Sequence, residues 1–191
     1  MWKVKVFTLY PELFPGPLGS GLYKKAHEKK LWSLEVVNIR DYATDKHKTV
    51  DDTPFGGGSG MLMRADIIAN SLDKNISSKN EPIIYLSPKG KKFDQDYAKK
   101  ILEKNINIIC GHFEGVDQRL LETRNIEEVS VGDFVLSGGE IGAFVVIDAI
   151  VRLIPGVLGN SNSLSEETFE RNLLEYPQYT KPQKWEKKDI P

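Results

Sequence analysis

Apolar and polar positions alternate along this chain in blocks that predict strands and helices in turn. Short continuous apolar runs predict strands buried on both faces, as in parallel sheets. Amphipathic stretches separate them and predict helices that cover the sheet. The predicted strands are 4–10, 34–40, 83–86, 106–110, 128–131 and 134–136, and the predicted helices are 18–30, 63–72, 93–104, 116–123 and 140–153. The pattern therefore predicts an α/β fold, a mostly parallel sheet flanked by helices.

Three of the predicted strand ends open into loops rich in glycine or proline. These loops are 86–90, 110–115 and 130–140. In open α/β sheets, ligands bind beyond the carboxyl ends of the strands, so three such loops predict one shared pocket. None of the loops has the glycine fingerprint of dinucleotide-binding folds or the phosphate-binding loop of nucleotide hydrolases. We therefore expect a cofactor pocket of another kind.

A polar segment at 160–168 divides the chain into a domain at 1–159 and a remainder at 169–191. The remainder contains too few apolar residues to fold alone, because a small segment cannot bury enough surface. We expect it to dock elsewhere or to belong to a longer domain. The segment 160–168 is predicted to be a flexible linker.

Composition limits the function classes. The chain has 191 residues, of which 40% are hydrophobic and 28% charged, as in soluble globular proteins. It contains no apolar run of the roughly 18 residues that a membrane span needs and no signal-peptide pattern. A lone cysteine, Cys110, suits a reducing compartment, so we expect a cytoplasmic protein without membrane partners.

The net charge of −1 conceals an uneven distribution. Residues 1–50 contain nine Lys and Arg against five Asp and Glu, whereas residues 51–160 contain twelve against sixteen. The basic excess at the start of the chain is compatible with phosphate binding and equally with an ordinary solvated surface.

Seven distinctive segments follow one another along the chain, at 45–52, 55–63, 85–88, 110–117, 132–140 (GDFVLSGGE), 154–157 and 173–180. In this order and spacing they resemble the bacterial tRNA (guanine-N(1))-methyltransferase family, the TrmD enzymes of the SPOUT superfamily. The resemblance implies a C-terminal trefoil knot, an exception to the rule that connections do not thread. It implies that 169–191 begins a small helical tRNA-binding domain, truncated here.

The resemblance also implies the reaction and its partners. S-adenosylmethionine lies in the knot, S-adenosylhomocysteine is the product, and the acceptor is the ring nitrogen N1 of guanine at tRNA position 37, next to the anticodon. The family works as a homodimer whose active site is shared between subunits. Magnesium ions assist the family, although methyl transfer itself requires no metal, and we predict no metal-ligand set.

The three loops are predicted, by this resemblance, to form the cofactor shell. Its residues are Tyr85, Leu86, Ser87, Pro88, Gly111, His112, Phe113, Val131, Gly132, Phe134, Leu136, Gly138 and Gly139. Glycine there lets backbone groups approach the ligand closely. His112 and Phe113 stand where the family more often has arginine and tyrosine. We expect His112 to lie at the pocket rim rather than to act as a ligand or base.

The predicted catalytic residues follow from the chemistry and the resemblance together. Guanine N1 carries a proton that must leave, so a positioned carboxylate is needed as general base. The family's base is an aspartate, and ungapped alignment places Glu167 at that position, a longer carboxylate. Glu166 is an alternative, and both glutamates also suit the start of a helix. Arg152 matches an arginine that holds substrate, and Glu114 matches a loop acid that contacts the guanine or organises the site.

Predicted substrate contacts lie mostly outside these loops. They are Lys46, His47, Gly57, Gly58, Arg64 and Glu175. The glycine run 56–60 lacks the Lys-Ser/Thr of a nucleotide loop, and the resemblance implies that it lies at the dimer interface facing tRNA. Cys110 is predicted to be a small buried apolar residue, since nitrogen methylation needs no nucleophile.

Two other functions are compatible with the sequence. One is another SPOUT enzyme that methylates a ribose or a different RNA base. The other is a non-catalytic module that binds the cofactor or RNA without turnover, which the substitution at Glu167 and the short C-terminal segment would suit.

Overall fold

A computed structural model describes residues 1–78, 80–158 and 177–190 of the chain. Its strands are β1 (Trp2–Thr8), β2 (Trp32–Asn38), β3 (Asp51–Asp52), β4 (Leu62–Met63), β5 (Ile83–Lys92), β6 (Ile106–Ile109), β7 (Glu127–Ser130), β8 (Lys184–Trp185) and β9 (Lys188–Asp189). Its α-helices are α1 (Gly21–Glu28), α2 (Ala65–Asn75), α3 (Gln95–Leu102), α4 (Gln118–Thr123) and α5 (Gly139–Leu153). Short 3₁₀ helices span Pro11–Leu13, Gly16–Gly19 and Ile39–Tyr42.

The first of two compact units, Met1–Gly159, is built on a five-stranded sheet in the order β2-β1-β6-β5-β7. All four strand pairings are parallel. β6 lies at the centre of the sheet, and all four of its residues are buried, the three isoleucines and the polar Asn107 alike. The predicted α/β class with a parallel sheet flanked by helices is therefore confirmed.

Two apolar cores lie on the two faces of this sheet. Val4 and Ile108 contribute to one core, which also contains the buried side of α5. Phe7 and Ile109 contribute to the other core, which contains the buried side of α2. Neighbouring residues of one strand point to opposite faces, so each central strand supplies both cores. The sheet is thereby fixed in place from both sides.

Three predicted elements differ from those observed. The helix predicted at 18–30 is split into a 3₁₀ turn and α1, because Gly21 adopts a left-handed φ of +56°. The strand predicted at 134–136 is wrong: Phe134 lies in a bend, Val135 and Leu136 have no regular secondary structure, and all three are exposed. β5, predicted to end at 86, continues to Lys92 after a register shift against β7.

The glycine run 56–60 forms the turn between two short antiparallel strands, β3 and β4. The strand after the run is joined to the 110–115 loop by backbone hydrogen bonds. Glu114 N–H donates to Met61 O at 3.0 Å, and Met63 N–H donates to Gly115 O at 2.9 Å. Two loops that are about 50 residues apart in sequence therefore lie side by side.

The second compact unit is Asn160–Pro191, described at 177–190. Its described part contains an antiparallel pair of short strands, β8 and β9. The predicted small helical domain and the linker 160–168 lie mainly or wholly outside the described residues, and the predicted knot stays a prediction. Within 1–78, 80–158 and 177–190, no helix has the length and apolar character needed to cross a membrane.

Candidate cofactor and substrate site

A cavity of about 280 Å³ opens at the register shift within β5 and beyond the carboxyl ends of β6 and β7. Every residue predicted for the cofactor shell lines it, namely Tyr85, Leu86, Ser87, Pro88, Gly111, His112, Phe113, Val131, Gly132, Phe134, Leu136, Gly138 and Gly139. Glu114, Lys89, Gln118, Glu128, Ser137 and Gly142 also line it. The three loops thus form one pocket, while the role of each residue in cofactor binding stays a prediction.

The first wall of the cavity is an irregularity in β5. The strand's pairing with β7 shifts register between Leu86 and Lys91, so the residues between them leave the regular ladder. Ser87 Oγ accepts a hydrogen bond from Lys89 N–H at 3.2 Å and stabilises this turn. An added Cβ at Gly90 would lie 2.3 Å from Val129 N, so glycine is required for the close approach. The irregularity turns Ser87 and Pro88 towards the cavity.

The other two walls meet through glycine residues. A Cβ at Gly111 would lie 2.4 Å from Tyr85 Cε2, and one at Gly139 would lie 2.6 Å from Cys110 Cα. Gly139 N–H donates to Gly111 O at 2.9 Å. These contacts allow no side chain at either position, and backbone groups therefore form much of the cavity wall.

A buried carboxylate lies behind these walls. Glu140, at the start of α5, is 3% exposed, and its Oε1 accepts a hydrogen bond from Thr8 Oγ1 at 2.5 Å. His112 Nε2 lies 2.9 Å from Oε1 and 2.8 Å from Oε2 of the same carboxylate. The His112 ring also packs edge-to-face on Tyr10, with ring centres 4.9 Å apart. This network joins β1, the 110–115 loop and α5 in one place.

Sequence reasoning missed Glu140, because a glutamate in the first turn of a helix is ordinarily solvated and stabilised by the helix dipole. Its burial depends on Thr8, which lies 132 positions earlier in the chain. The one feature of the sequence that could have indicated a role for Glu140 was its position directly after the glycine pair at 138–139. His112 lines the cavity, as predicted, and in addition pairs with this acid.

Glu114 lies between the cavity and the glycine run. It lines the cavity, and a Cβ added at Gly60 would lie 2.4 Å from Glu114 Cγ. Gly60 has a left-handed φ of +85°, so both its conformation and the neighbouring side chain favour glycine. A loop predicted to face substrate therefore contacts a residue of the cofactor cavity.

Arg152 does not line the cavity, although α5 supplies a wall of it. Gly139 and Arg152 are at opposite ends of that helix, about 20 Å apart at 1.5 Å per residue. Arg152 lies one turn from Asp148, whose carboxylate accepts a hydrogen bond from the Tyr23 hydroxyl. Burial raises the pKa of Asp148, and the positive charge of Arg152 offsets part of that rise. Arg152 and the cavity of the same chain are thus separated.

Three of the predicted substrate contacts have described side chains, namely Lys46, His47 and Arg64. Lys46 and His47 are exposed in a turn that Asp45 stabilises by accepting a hydrogen bond from His47 N–H at 3.1 Å. Arg64 donates to Asp66 through Nε at 3.1 Å and Nη2 at 2.7 Å, and this hydrogen bonding raises its pKa. A phosphate would therefore compete with a carboxylate for Arg64.

The remaining substrate contacts are glycines or lie beyond the described residues. Gly57 and Gly58 have left-handed φ angles of +83° and +126°, and both are exposed. Glu167 and Glu175, the predicted base and a predicted substrate contact, lie outside the described residues, so their roles stay predictions.

Tyr85, which lines the cavity, and Cys110, which is buried next to the lining residue Gly111, remain protonated near neutral pH. Burial, followed by the charge of Glu140, raises the pKa of the Cys110 thiol well above its usual value. Its complete burial agrees with the prediction of a small apolar residue. Burial and then the charge of Glu128 raise the pKa of Tyr85 to about 12. The Tyr85 phenol is therefore available as a hydrogen-bond donor.

A parallel sheet with a glycine-walled cavity at its carboxyl edge is the arrangement of an α/β enzyme that binds a small-molecule cofactor. In the described residues, no group of three or more His, Cys, Asp and Glu side chains is placed to hold a metal ion. The profile of one family, tRNA (Guanine-1)-methyltransferase TrmD, matches residues 2–191. The chain belongs to this family.

The names of similar proteins agree with this assignment. A protein of Pelagibacter ubique named tRNA (guanine-N(1)-)-methyltransferase is 66% identical over 192 residues, covering 100% of this chain and 84% of its own length. Proteins with the same name from Bartonella tribocorum and Rhizobium etli are 53% and 51% identical, each over 100% of this chain and 82% of their own lengths.

Proposed function

We propose that this protein transfers a methyl group from S-adenosylmethionine to N1 of guanine at position 37 of tRNA. The observation that carries the proposal is the glycine-walled cavity, formed by three loops in a chain that the TrmD profile matches over residues 2–191. The names of the relatives support the guanine N1 acceptor. The position of that guanine in the tRNA is taken from the family resemblance.

The residues of the cavity suit this cofactor. The glycines at 111 and 139 leave backbone groups bare at the wall, since any side chain there would collide with Tyr85 or Cys110. Leu86 and Leu136 supply apolar surface for an adenine ring, and the Tyr85 phenol supplies a donor. When bound, S-adenosylmethionine supplies a methyl group on a positively charged sulfur. The cavity walls would hold it and exclude water around it.

The chain's own task is to orient the guanine and remove its N1 proton. We assign proton removal to Glu167, because a carboxylate is the minimum general base and this residue aligns with the family's aspartate. Glu114 lines the cavity, and we assign to it the acceptance of hydrogen bonds from the guanine edge. Arg152 would stabilise the negative charge that develops on the guanine after proton loss.

The separation of Arg152 from the cavity supports an active site shared between two copies of the chain. In a single copy the two ends of α5 are about 20 Å apart, too far for Arg152 to meet a guanine at the cavity. Ile141 and Val145, one helical turn apart on α5, are 56% and 47% exposed, and Phe55 is 99% exposed. Apolar surface of this kind near a cavity suits an interface between copies.

The test is methyl transfer from labelled S-adenosylmethionine to a tRNA transcript with guanine at position 37, beside the same transcript with adenine there. Transfer to the guanine form alone is expected. Transfer to both transcripts would identify another RNA methyltransferase. Binding of S-adenosylhomocysteine without transfer to either would identify a non-catalytic binding module.

Two further features are part of the proposal. We infer that Mg²⁺ assists by neutralising tRNA phosphates, and an assay with and without EDTA at constant ionic strength tests this. We also place the reaction in the cytoplasm, where tRNA is modified and a free thiol such as that of Cys110 stays reduced. Fractionation of cells that produce the tagged chain tests that location.

A further inference from the structure

We propose that Glu140 is a positioning residue for the cofactor: through His112 and Thr8 it holds the glycine walls of the cavity at their working separation. The inference rests on the proposed function in that the ligand is S-adenosylmethionine. It concerns binding of the ligand rather than the transfer of the methyl group.

The contacts of Glu140 connect three elements that lie far apart in sequence. Its Oε1 takes the Thr8 hydroxyl hydrogen bond from the end of β1, at 2.5 Å. Both of its oxygens lie within 2.9 Å of His112 Nε2, in the loop after β6. Within the described parts of the chain, His112 is the one basic side chain within salt-bridge distance of Glu140, with Nε2 at 2.8 Å from Oε2. The side chains of this pair are 13% and 4% exposed, so water competes little for the carboxylate.

The position of His112 is coupled to the cavity wall by steric contact. A Cβ added at Gly138 would lie 2.2 Å from His112 Cε1 and 2.7 Å from Glu140 Oε2. Gly138 and His112 both line the cavity. If His112 leaves its place, the turn at 138–139 loses the ring against which it packs, and its neighbour Gly139 loses support for the bond to Gly111 O. The cavity would then widen where the backbone must contact the ligand.

A buried carboxylate that accepts hydrogen bonds from two donors destabilises the folded state if either donor is lost. Glu140 therefore does more than begin α5: its desolvated oxygens fix the rotamers of Thr8 and His112. The helix would tolerate many residues at this position, whereas the two hydrogen bonds require an acceptor with two oxygens. Substitutions of Glu140 that suit the helix but remove the acceptor oxygens therefore distinguish a positioning role of this residue from a purely structural role in α5.

The test is the dissociation constant of S-adenosylhomocysteine, measured by calorimetry on the full chain. Glu140→Ala and His112→Ala are each expected to weaken binding at least about 10-fold, as when a buried polar group loses its partner. The double variant is expected to have about the same dissociation constant for S-adenosylhomocysteine as the single variant that binds it less tightly. The two losses should not add, because both residues act through one network. Glu140→Gln keeps one acceptor oxygen and is expected to restore part of the affinity.

Steady-state kinetics supply a second readout. The variants are expected to raise KM for S-adenosylmethionine while kcat at saturation stays within about threefold of the wild-type value. The matched control is Arg124→Gln, which breaks the surface salt bridge with Asp73 and should leave binding unchanged. If Glu140→Ala does not fold, His112→Gln and Thr8→Val test the same network through its other two members.

Additive losses in the double variant, or unchanged affinity in a folded Glu140→Ala, would overturn the inference. A fall in kcat alone, with KM and affinity unchanged, would also overturn it. Because binding of S-adenosylhomocysteine requires no tRNA, coupled losses of affinity without any methyl transfer would instead count against the proposed function alone.

Discussion

The backbone N–H of Gly139 donates to the carbonyl oxygen of Gly111 at 2.9 Å, which joins the start of α5 to the loop after β6. The approach is so close that a Cβ at residue 139 would lie 2.6 Å from Cys110 Cα. Both glycines line the cavity. The floor of the proposed cofactor site is therefore a backbone-to-backbone contact that only glycine permits.

Gly139→Ala is expected to weaken binding of S-adenosylhomocysteine by about 100-fold, because the methyl group forces backbone atoms apart by an ångström or more. Calorimetry on the folded variant measures this loss. Gly142→Ala, three residues along α5, lines the same cavity and is the comparison: its Cβ would meet the flexible end of Leu86 at 3.1 Å rather than backbone, so a smaller loss is expected. Equal losses in both variants would contradict the steric argument.

Glu167→Gln is expected to lower kcat by about 10²- to 10⁴-fold, since it removes the proposed general base while keeping the shape of the side chain. Affinity for S-adenosylhomocysteine should be unchanged. Glu167→Asp, which restores the family's residue, should retain measurable transfer, and Glu166→Gln is the neighbouring control. Full activity of Glu167→Gln beside an inactive Glu166→Gln would move the base to Glu166.

Two inactive variants are expected to complement each other if the active site is shared between copies. Leu136→Trp fills the cavity from its rim, and Glu167→Gln removes the base. Mixed subunits contain one site with both functions intact, so random exchange should restore roughly a quarter of wild-type activity. The absence of any recovery after exchange, verified by mass spectrometry of the mixed species, would place both functions in one chain.

Asp148→Asn is expected to stabilise the fold while lowering methyl transfer. Burial raises the folded-state pKa of Asp148 above its unfolded value, so the penalty for its charge appears as the pH rises through the raised pKa. Below the unfolded pKa neither state carries that charge, and the penalty vanishes. The variant should therefore melt at a higher temperature than wild type at pH 7, with the difference shrinking towards pH 4.

Transfer should fall in Asp148→Asn because Arg152, the proposed substrate contact, loses the negative charge beside it. Asparagine retains an oxygen that can accept the Tyr23 hydrogen bond, so loss of that contact is not the cause. Tyr23→Phe is the control that removes the hydroxyl and keeps the carboxylate. A melting difference that is constant from pH 4 to pH 7 would contradict the burial argument.

The hydrophobic pattern predicted most elements of the first unit because each is set locally. The central strand β6 has isoleucine at three of its four buried positions, and α5 combines a glycine start with a long apolar face. The strand predicted at 134–136 failed because its apolar residues are exposed at the cavity, where apolar surface contacts a ligand or partner rather than a neighbouring strand. Periodicity does not distinguish these two uses of apolar residues.

The sequence by itself determined the parallel α/β architecture, the three glycine-rich loops and, through seven ordered motifs, the family. These properties depend on residue types at short spacings, which a single sequence displays. Only the tertiary structure decided that Glu140 is buried against Thr8 and His112, and that Arg152 stands far from the cavity that its own helix helps to form. Both facts arise from contacts or distances between residues that are remote along the chain, and local patterns carry no record of such pairings.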